Sequence, residues 1–494
     1  MKFISAANIK SRPHADLLVL PFWKGGKHAK AASDFDHPHV SIKALLATED
    51  FAGKEGEVVF LYVDKEKEPR VALLGLGSLD KISIEKLRRS YASLVKACRS
   101  RKIENVNIVM PHLPDFTEEM SVRGISEGML LANYVFDQMK HDAIKDQRNV
   151  LLSKATLIGV SKQGLAIAKK YDDIASAVYL ARDLINGNAD DVTPQHLSKL
   201  AQEFAKKFPS IKTTVFNKQR IEKEKMRLLL AVSQGSQCDP AFIIMEYTGD
   251  PKSKDRTVII GKGVTFDTGG LNLKPTGSME KMRCDMSGAA TVFGTLKAAA
   301  TLGLKVNVIG VIPATENAIG PKSFKPGDTF KSYAGKTIEI GNTDAEGRLI
   351  LADALAYVCK HCKPTRIIDF ATLTGAMEIS LGAETTGLMS NQDALADSLI
   401  RAGHETYERA WRFPLYEEYK DQLKSDIADI KSTGGRGGSS ILAALFLQEF
   451  VDDNIPWAHF DIAGTAYLGE ARYYLPKCGT GVGIRLMVEF LENL

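Results

Sequence analysis

Asn342-Thr343-Asp344-Ala345-Glu346-Gly347-Arg348-Leu349 joins two different hydrophobic periods. On its amino side Lys336-Thr337-Ile338-Glu339-Ile340-Gly341 alternates like a strand; on its carboxyl side Leu349, Ile350, Ala352, Leu355 and Val358 recur at helical spacing. Strand, loop and helix in that order mark an α/β protein. Two carboxylates and a guanidinium then sit at the carboxyl end of a strand, where such sheets build their sites. Two ionised acids this close repel each other unless a cation neutralises them, which points to metal. A helix cap, with Asp344 and Glu346 complementing the macrodipole, fits the octapeptide alone equally well.

A second cluster upstream decides between the two. Thr257-Val258-Ile259-Ile260-Gly261 reads as a buried strand running into Lys262-Gly263-Val264-Thr265-Phe266-Asp267-Thr268-Gly269-Gly270. Burial is expected to lower the pKa of Lys262 and so offer a neutral amine to a metal. Asp267 follows in a glycine-rich turn that lets backbone approach a ligand. Lys274, Met282 and Asp285 come next, before a small-residue run, Ser287-Gly288-Ala289-Ala290-Thr291, that leads into a helix ending near residue 300. One lysine and four acids at strand-to-helix corners suit two divalent ions sharing a water, with zinc, manganese or magnesium in a mixed oxygen and nitrogen shell. Such a pair acidifies the water and polarises a carbonyl, while Lys274 and Arg348 remain to stabilise an oxyanion. Hydrolysis is implied; the spacing alone leaves amide and phosphate ester open.

These residues resemble the leucyl aminopeptidase family of bacterial type, also called cytosol aminopeptidases. The octapeptide matches that family's signature without a departure. Its companions match in order: Gly261-Lys262-Gly263 through Gly270, Met282 to Asp285, Asp369 to Ala376, Ser425 to Asp429 with Gly434-Gly435-Arg436, and Trp457 to Ala466. The resemblance runs from about Ala181 to the carboxyl terminus and is loose before that. It implies that Asp267, Asp344 and Glu346 hold one metal, and that Lys262, Asp267, Asp285 and Glu346 hold the other. It implies that Lys274 polarises the scissile carbonyl and steadies the gem-diolate. Arg348 would hold a bicarbonate that acts as general base. Met282, Thr372, Leu373 and Gly375 would line the pocket for the first residue, with 463–467 as its floor. The expected activity is release of leucine or another apolar residue from short peptides with a free amino terminus, by a homohexamer. Full occupancy of the charged positions implies an active enzyme.

Composition agrees with a soluble enzyme. The 494 residues exceed what one core holds, and 44% hydrophobic with 25% charged residues is ordinary for a globular chain. A net charge of +4 demands no nucleic-acid partner. No apolar run approaches a membrane span and no secretory segment opens the chain, so a cytoplasmic location is expected. Six scattered cysteines form no disulfide framework, and Cys359-Lys360-His361-Cys362 lacks the second ligand pair a zinc site needs. Cys284, beside Asp285, is expected to make the enzyme sensitive to thiol reagents.

The organisation expected is an N-terminal α/β domain over 1–165, a linking helix over 166–186, and a larger catalytic domain over 187–494 with a mixed, mostly parallel sheet flanked by helices. In the first part strands are expected at 16–20, 58–63, 71–75, 106–110 and 155–160, and helices at 84–99, 120–140 and 163–170. Asn186-Gly187-Asn188 and Pro194 are expected to break the pattern. In the second part strands are expected around 215 and at 257–261, 306–312, 337–340, 366–370 and 457–461. The glycine-rich 434–440 reads as an αL turn into a helix over 441–450, or as a mobile loop beside the site. Charge-rich 140–146 and 218–225 read as solvated. Two rival functions stand beside the peptidase. The helix bearing Lys86, Arg88, Arg89, Lys96, Arg99, Arg101 and Lys102 could track a phosphate backbone, which would make the chain a DNA-binding architectural or regulatory protein with incidental peptidase activity. A carboxylate two-metal phosphoesterase is the other.

Overall fold

Unbroken runs of Val, Ile and Leu become strands buried on both faces, as sheets covered by helices require. The computed structural model describes residues 1–25, 42, 48, 50–64, 67–142 and 150–494. It divides into two compact units, Met1–Ala175 with Glu470–Pro476, and Ser176–Gly469 with Lys477–Leu494.

The first unit holds strands β1 (Lys2–Ala6), β2 (Leu17–Phe22), β3 (Val58–Tyr62), β4 (Arg70–Gly75), β5 (Asn105–Val109) and β6 (Lys154–Ile158). Their order is β1-β6-β5-β2-β4-β3, parallel throughout except for β3 against β4. Five of the six lie where the sequence placed them; β1, short and carrying Lys2 and Ser5, has no clear alternation and was not foreseen. The helix Ile84–Arg99 starts on its cap, Ser83, which accepts from Lys86 N. The helix expected over 120–140 is Glu118–Ala132. It stops because Asn133 turns its side chain to Leu152, accepting from its N–H at 3.0 Å and donating to its carbonyl at 2.9 Å. The helix expected at 163–170 and the linking helix expected over 166–186 are one helix, Lys162–Asn186, since no breaker separates them. Of the charge-rich 140–146, residues 143–146 lie outside the described residues.

The basic helix is less free than its sequence suggests. Arg88 is buried and paired with Glu127 at 2.7 Å and Glu85 at 3.4 Å. Arg89 pairs with Glu85 at 2.8 Å and lies over the Tyr473 ring, and Arg101 lies over Phe60. Tyr473 comes from the returning segment Glu470–Pro476, whose buried Tyr474 also donates its hydroxyl to Glu85 at 2.9 Å.

The second unit holds β7 (Ile211–Phe216), β8 (Ala241–Thr248), β9 (Thr257–Gly261), β10 (Gly263–Asp267), β11 (Asn307–Asn317), β12 (Thr329–Lys331), β13 (Thr337–Glu339), β14 (Arg366–Ala371), β15 (Thr386–Ser390), β16 (Ala410–Arg412), β17 (Ile430–Lys431) and β18 (Trp457–Asp461). The large sheet runs β16-β15-β18-β14-β9-β11-β8-β7, with β10 beside β11. Strands β18, β14, β9, β11 and β10 are mutually parallel, so their carboxyl ends share one edge. Helix Ser287–Leu302 lies flush on this sheet, because a Cβ on Gly288 would come within 2.0 Å of the Phe370 carbonyl oxygen.

Two local expectations change. Pro194 does not interrupt a helix but occupies the first turn of one, Pro194–Lys207, capped by Thr193 accepting from His196 N at 3.2 Å. The charge-rich 218–225 is solvated as expected, as the helix Lys218–Glu224 with only Ile221 buried. The strand before the octapeptide is β13, but it belongs to a separate three-stranded sheet, β12-β13-β17. Asp429 fixes it there, accepting from Thr337 N at 2.7 Å and Thr337 Oγ1 at 2.8 Å. Gly438, at φ +68°, makes the αL entry to helix Ser439–Gln448. All six cysteines are free, and His361 meets the Tyr333 hydroxyl at 2.6 Å, so the CxxC segment is packing. Among the described residues no helix is long and apolar enough to cross a membrane.

Candidate metal centre

Five parallel strands ending at one edge deliver the site's residues one after another. Lys262 leaves β9 and Asp267 ends β10. Thr372 and Leu373 follow β14, and Asp461 ends β18. Asp285 closes the 3₁₀ turn Met279–Cys284, and Glu346 opens the helix Glu346–His361. Ten of the residues singled out by sequence line one cavity of about 290 Å³: Lys262, Asp267, Lys274, Met282, Asp285, Asp344, Glu346, Thr372, Leu373 and Gly375. Ala463 and Tyr467 also line it, as expected of its floor. Arg348 is not among the lining residues; it is buried and donates from Nη1 to the Ser432 carbonyl at 2.8 Å, with its Nε unpartnered.

The acids converge. Asp267, Asp344 and Glu346 bring carboxylate oxygens within 4.8 Å of one another, the arrangement of a cation site. The Lys262 nitrogen lies 2.7 Å from Glu346, 2.9 Å from Asp285 and 2.9 Å from the Thr372 carbonyl oxygen. Lys274 spans Asp267 at 2.8 Å and Asp344 at 2.6 Å. Four carboxylates thus meet only two ammonium groups. Asp285 Oδ2, Asp344 Oδ1 and Glu346 Oε1 lie within ion-pair distance of a lysine, yet no well-aligned donor reaches them or Glu346 Oε2. Buried oxygens are seldom left so unless an ion takes their lone pairs. The donor set, carboxylate oxygen with one amine, fits hard or borderline divalent cations.

The electrostatics show the same imbalance. Burial, then repulsion from Glu346, pushes Asp267 up to about 7 against the pull of Lys274 and Lys262. Asp285 and Asp344 are also raised, chiefly by burial. Glu346 goes the other way, because Lys262 and Lys274 together overcome its burial. Lys262 corrects the sequence reading. Burial does lower its pKa, but Asp285, Glu346 and Asp267 outweigh burial, and the amine is held protonated. The sequence showed the apolar strand and not how closely the acids would gather. Arg348 is brought down to about 10 by burial, with Glu346 and Asp461 opposing. Cys284 also lines the cavity, and burial, then Asp285, pushes its thiol up to about 12, which disfavours the thiolate form.

Comparison with known proteins agrees with this geometry. The cytosol aminopeptidase family's catalytic-domain model matches residues 179–488, and its N-terminal-domain model matches residues 19–143. The chain belongs to the cytosol aminopeptidase family. It is 57% identical over 494 residues to a probable cytosol aminopeptidase of Protochlamydia amoebophila, covering 100% of this chain and 99% of that one. A Chlamydia abortus relative with the same description is 47% identical, covering 99% of each. Among solved structures, a mutant of tomato leucine aminopeptidase superposes with a TM-score of 0.88 at 29% identity, covering 100% of this chain and 97% of that one. The bottromycin maturation enzyme BotP in complex with Mn gives 0.86 at 29% identity, covering 97% and 99%.

Within this cytosol aminopeptidase site, sequence reasoning missed two supporting residues. Asn317, at the end of β11, donates from Nδ2 to Asp267 Oδ1 at 2.8 Å and to the Thr343 carbonyl at 3.0 Å, tying the loops that carry Asp267 and Asp344 together. A buried-type strand ending on Asn at the carboxyl edge was the available signal. Asp461 accepts from the N–H groups of Leu373, Thr374 and Ala463 and from the Thr374 hydroxyl at 2.6 Å, so it holds the pocket wall in place. It stood within a motif that was quoted but given no role. Lys281 and Glu378, also in the lining, were likewise passed over.

Proposed function

We propose that this family member is a metal-dependent leucyl aminopeptidase that removes leucine and other apolar residues from the free amino terminus of short peptides. What supports this most directly is the convergence of four carboxylates on two ammonium groups in the lining of one cavity. Asp267, Asp344 and Glu346 would hold one divalent ion and Lys262, Asp267, Asp285 and Glu346 a second, manganese or zinc being the expected metals and magnesium an accepted one. Two such ions supply an acidified water and a polarised carbonyl. For Lys262 to serve as a ligand it must surrender a proton, which becomes favourable once its neighbouring acids are neutralised otherwise. Lys274, bridging Asp267 and Asp344, is placed to steady negative charge on a substrate oxygen. Arg348 offers an unpartnered Nε within the electrostatic influence of Glu346, which supports its holding a bicarbonate base. The apolar lining from Met282 and Leu373 supports leucine and methionine as preferred first residues. A cytoplasmic homohexamer completes the proposal.

The test is turnover of leucine p-nitroanilide after chelation and stepwise return of zinc or manganese, with a phosphate ester as counter-substrate. Activity should vanish and return with about two ions per chain, and the ester should be untouched. Full leucyl turnover in protein shown to be free of metal would sink the proposal. Arg348→Ala should lower kcat with both ions retained; undiminished turnover would remove the bicarbonate role alone.

A further inference from the structure

The cavity carries one charged pair that the proposed chemistry does not use. Lys281 Nζ lies 3.3 Å from Glu378 Oε2, and the two side chains keep 40% and 52% of their exposure. Both line the same cavity as the metal-binding acids. Their positions follow from helical geometry. Ser278, Lys281 and Cys284 recur every third residue along the 3₁₀ turn, where such residues eclipse, and all three line the cavity. Gly375 and Glu378 stand three apart on the helix Gly375–Leu381, hence on one face, and both line it too. Met377, between them, is buried in the core and fixes which way that face turns.

Resting on the aminopeptidase reading, we propose that Glu378 selects peptides whose first side chain ends in a guanidinium, with Lys281 as the internal competitor that such a side chain displaces. An ion pair this exposed is weakly held, because water competes for both partners and two long side chains must be kept in place. An arginine side chain replaces a point-charge contact with a planar fork that matches a carboxylate in two parallel hydrogen bonds. The reverse exchange, a substrate carboxylate taking Lys281 from Glu378, gains a contact no better than the one it breaks. Long cationic first residues are therefore favoured over acidic ones, alongside the apolar residues that Met282 and Leu373 accept.

The experiment compares kcat/KM for arginyl, leucyl and glutamyl aminomethylcoumarin substrates in the metal-loaded wild type, Glu378→Gln and Lys281→Met enzymes. The arginyl-to-leucyl ratio should fall roughly five- to tenfold in Glu378→Gln and rise by a smaller factor in Lys281→Met. Opposite movements are a signature that general damage to the pocket does not produce. Leucyl turnover with a ratio unmoved in both variants, or moved the same way in both, overturns the selection role while leaving the aminopeptidase reading intact. A wild-type enzyme that cleaves none of the three substrates overturns both.

Discussion

Gly347 shows how a single residue shapes the site. A Cβ built there would come within 2.7 Å of the Lys262 nitrogen and its neighbouring carbon, so the glycine leaves the space through which that side chain reaches Asp285 and Glu346. In a helix interior, alanine is favoured over glycine by about 0.8–1 kcal/mol. Here Gly347→Ala should instead displace Lys262, lowering leucyl kcat/KM at least tenfold and weakening metal retention, which elemental analysis of the dialysed protein would record. Asp353 provides a prediction away from the acidic cluster. It is fully buried and accepts from the backbone N–H groups of Leu228, Leu229 and Tyr333, yet burial pushes it up to about 7. A carboxyl raised in the folded state binds its proton more tightly there than in the unfolded chain. Its contribution is therefore full below about pH 4 and is lost as pH rises toward 7. Melting temperatures of wild type and Asp353→Asn, measured across that window, should diverge with the wild type losing ground; parallel curves would refute the assignment. At this scale the sequence was informative wherever a motif supplied the residue. For Lys262 it showed the burial that lowers its pKa but not the opposing pull, which depends on how closely acids from distant segments gather.

At the scale of elements, strands were the most legible part, because β9, β14 and β18 are short segments dominated by buried Val, Ile, Phe and Trp. The helix Pro194–Lys207 was obscured by a proline whose meaning depends on whether a capping threonine precedes it. Strand β13 was found, but its sheet was not, since side-chain anchors such as Asp429 lie some ninety residues away. The Asp461 wall shows what such anchors do. Asp461→Ala would strand three backbone N–H groups, each costing roughly 1–3 kcal/mol if left buried without a partner, while the Thr374 hydroxyl keeps Ser440 at 2.6 Å. That wall also carries Thr372, whose hydroxyl donates to Asp285 at 2.7 Å and whose carbonyl faces Lys262. The variant should therefore raise KM and lower the melting temperature together, while Asp461→Asn, which keeps an acceptor, should recover most of both. Loss of stability with an unchanged KM would show that the wall does not position substrate.

For the whole molecule, the α/β class and the second sheet's parallel centre were readable from alternating apolar runs and helical periods. No pattern of that kind announces that Glu470–Pro476 packs with the first unit, because seven residues without periodicity carry no signal of what they pack against. The consequence concerns synthesis. A ribosome delivers the amino-terminal sheet early but withholds Tyr473 and Tyr474, the partners of Arg89 and Glu85, until residues 176–469 of the second unit have been made. The first unit thus waits, incomplete, while the second is made, and truncation just ahead of Glu470 should leave the Glu85–Arg89 pair without its tyrosine cover. A fragment comprising residues 1–175 should accordingly gain protection from proteolysis when a synthetic 470–476 peptide is added, and a fragment indifferent to that peptide would show the unit to be self-sufficient.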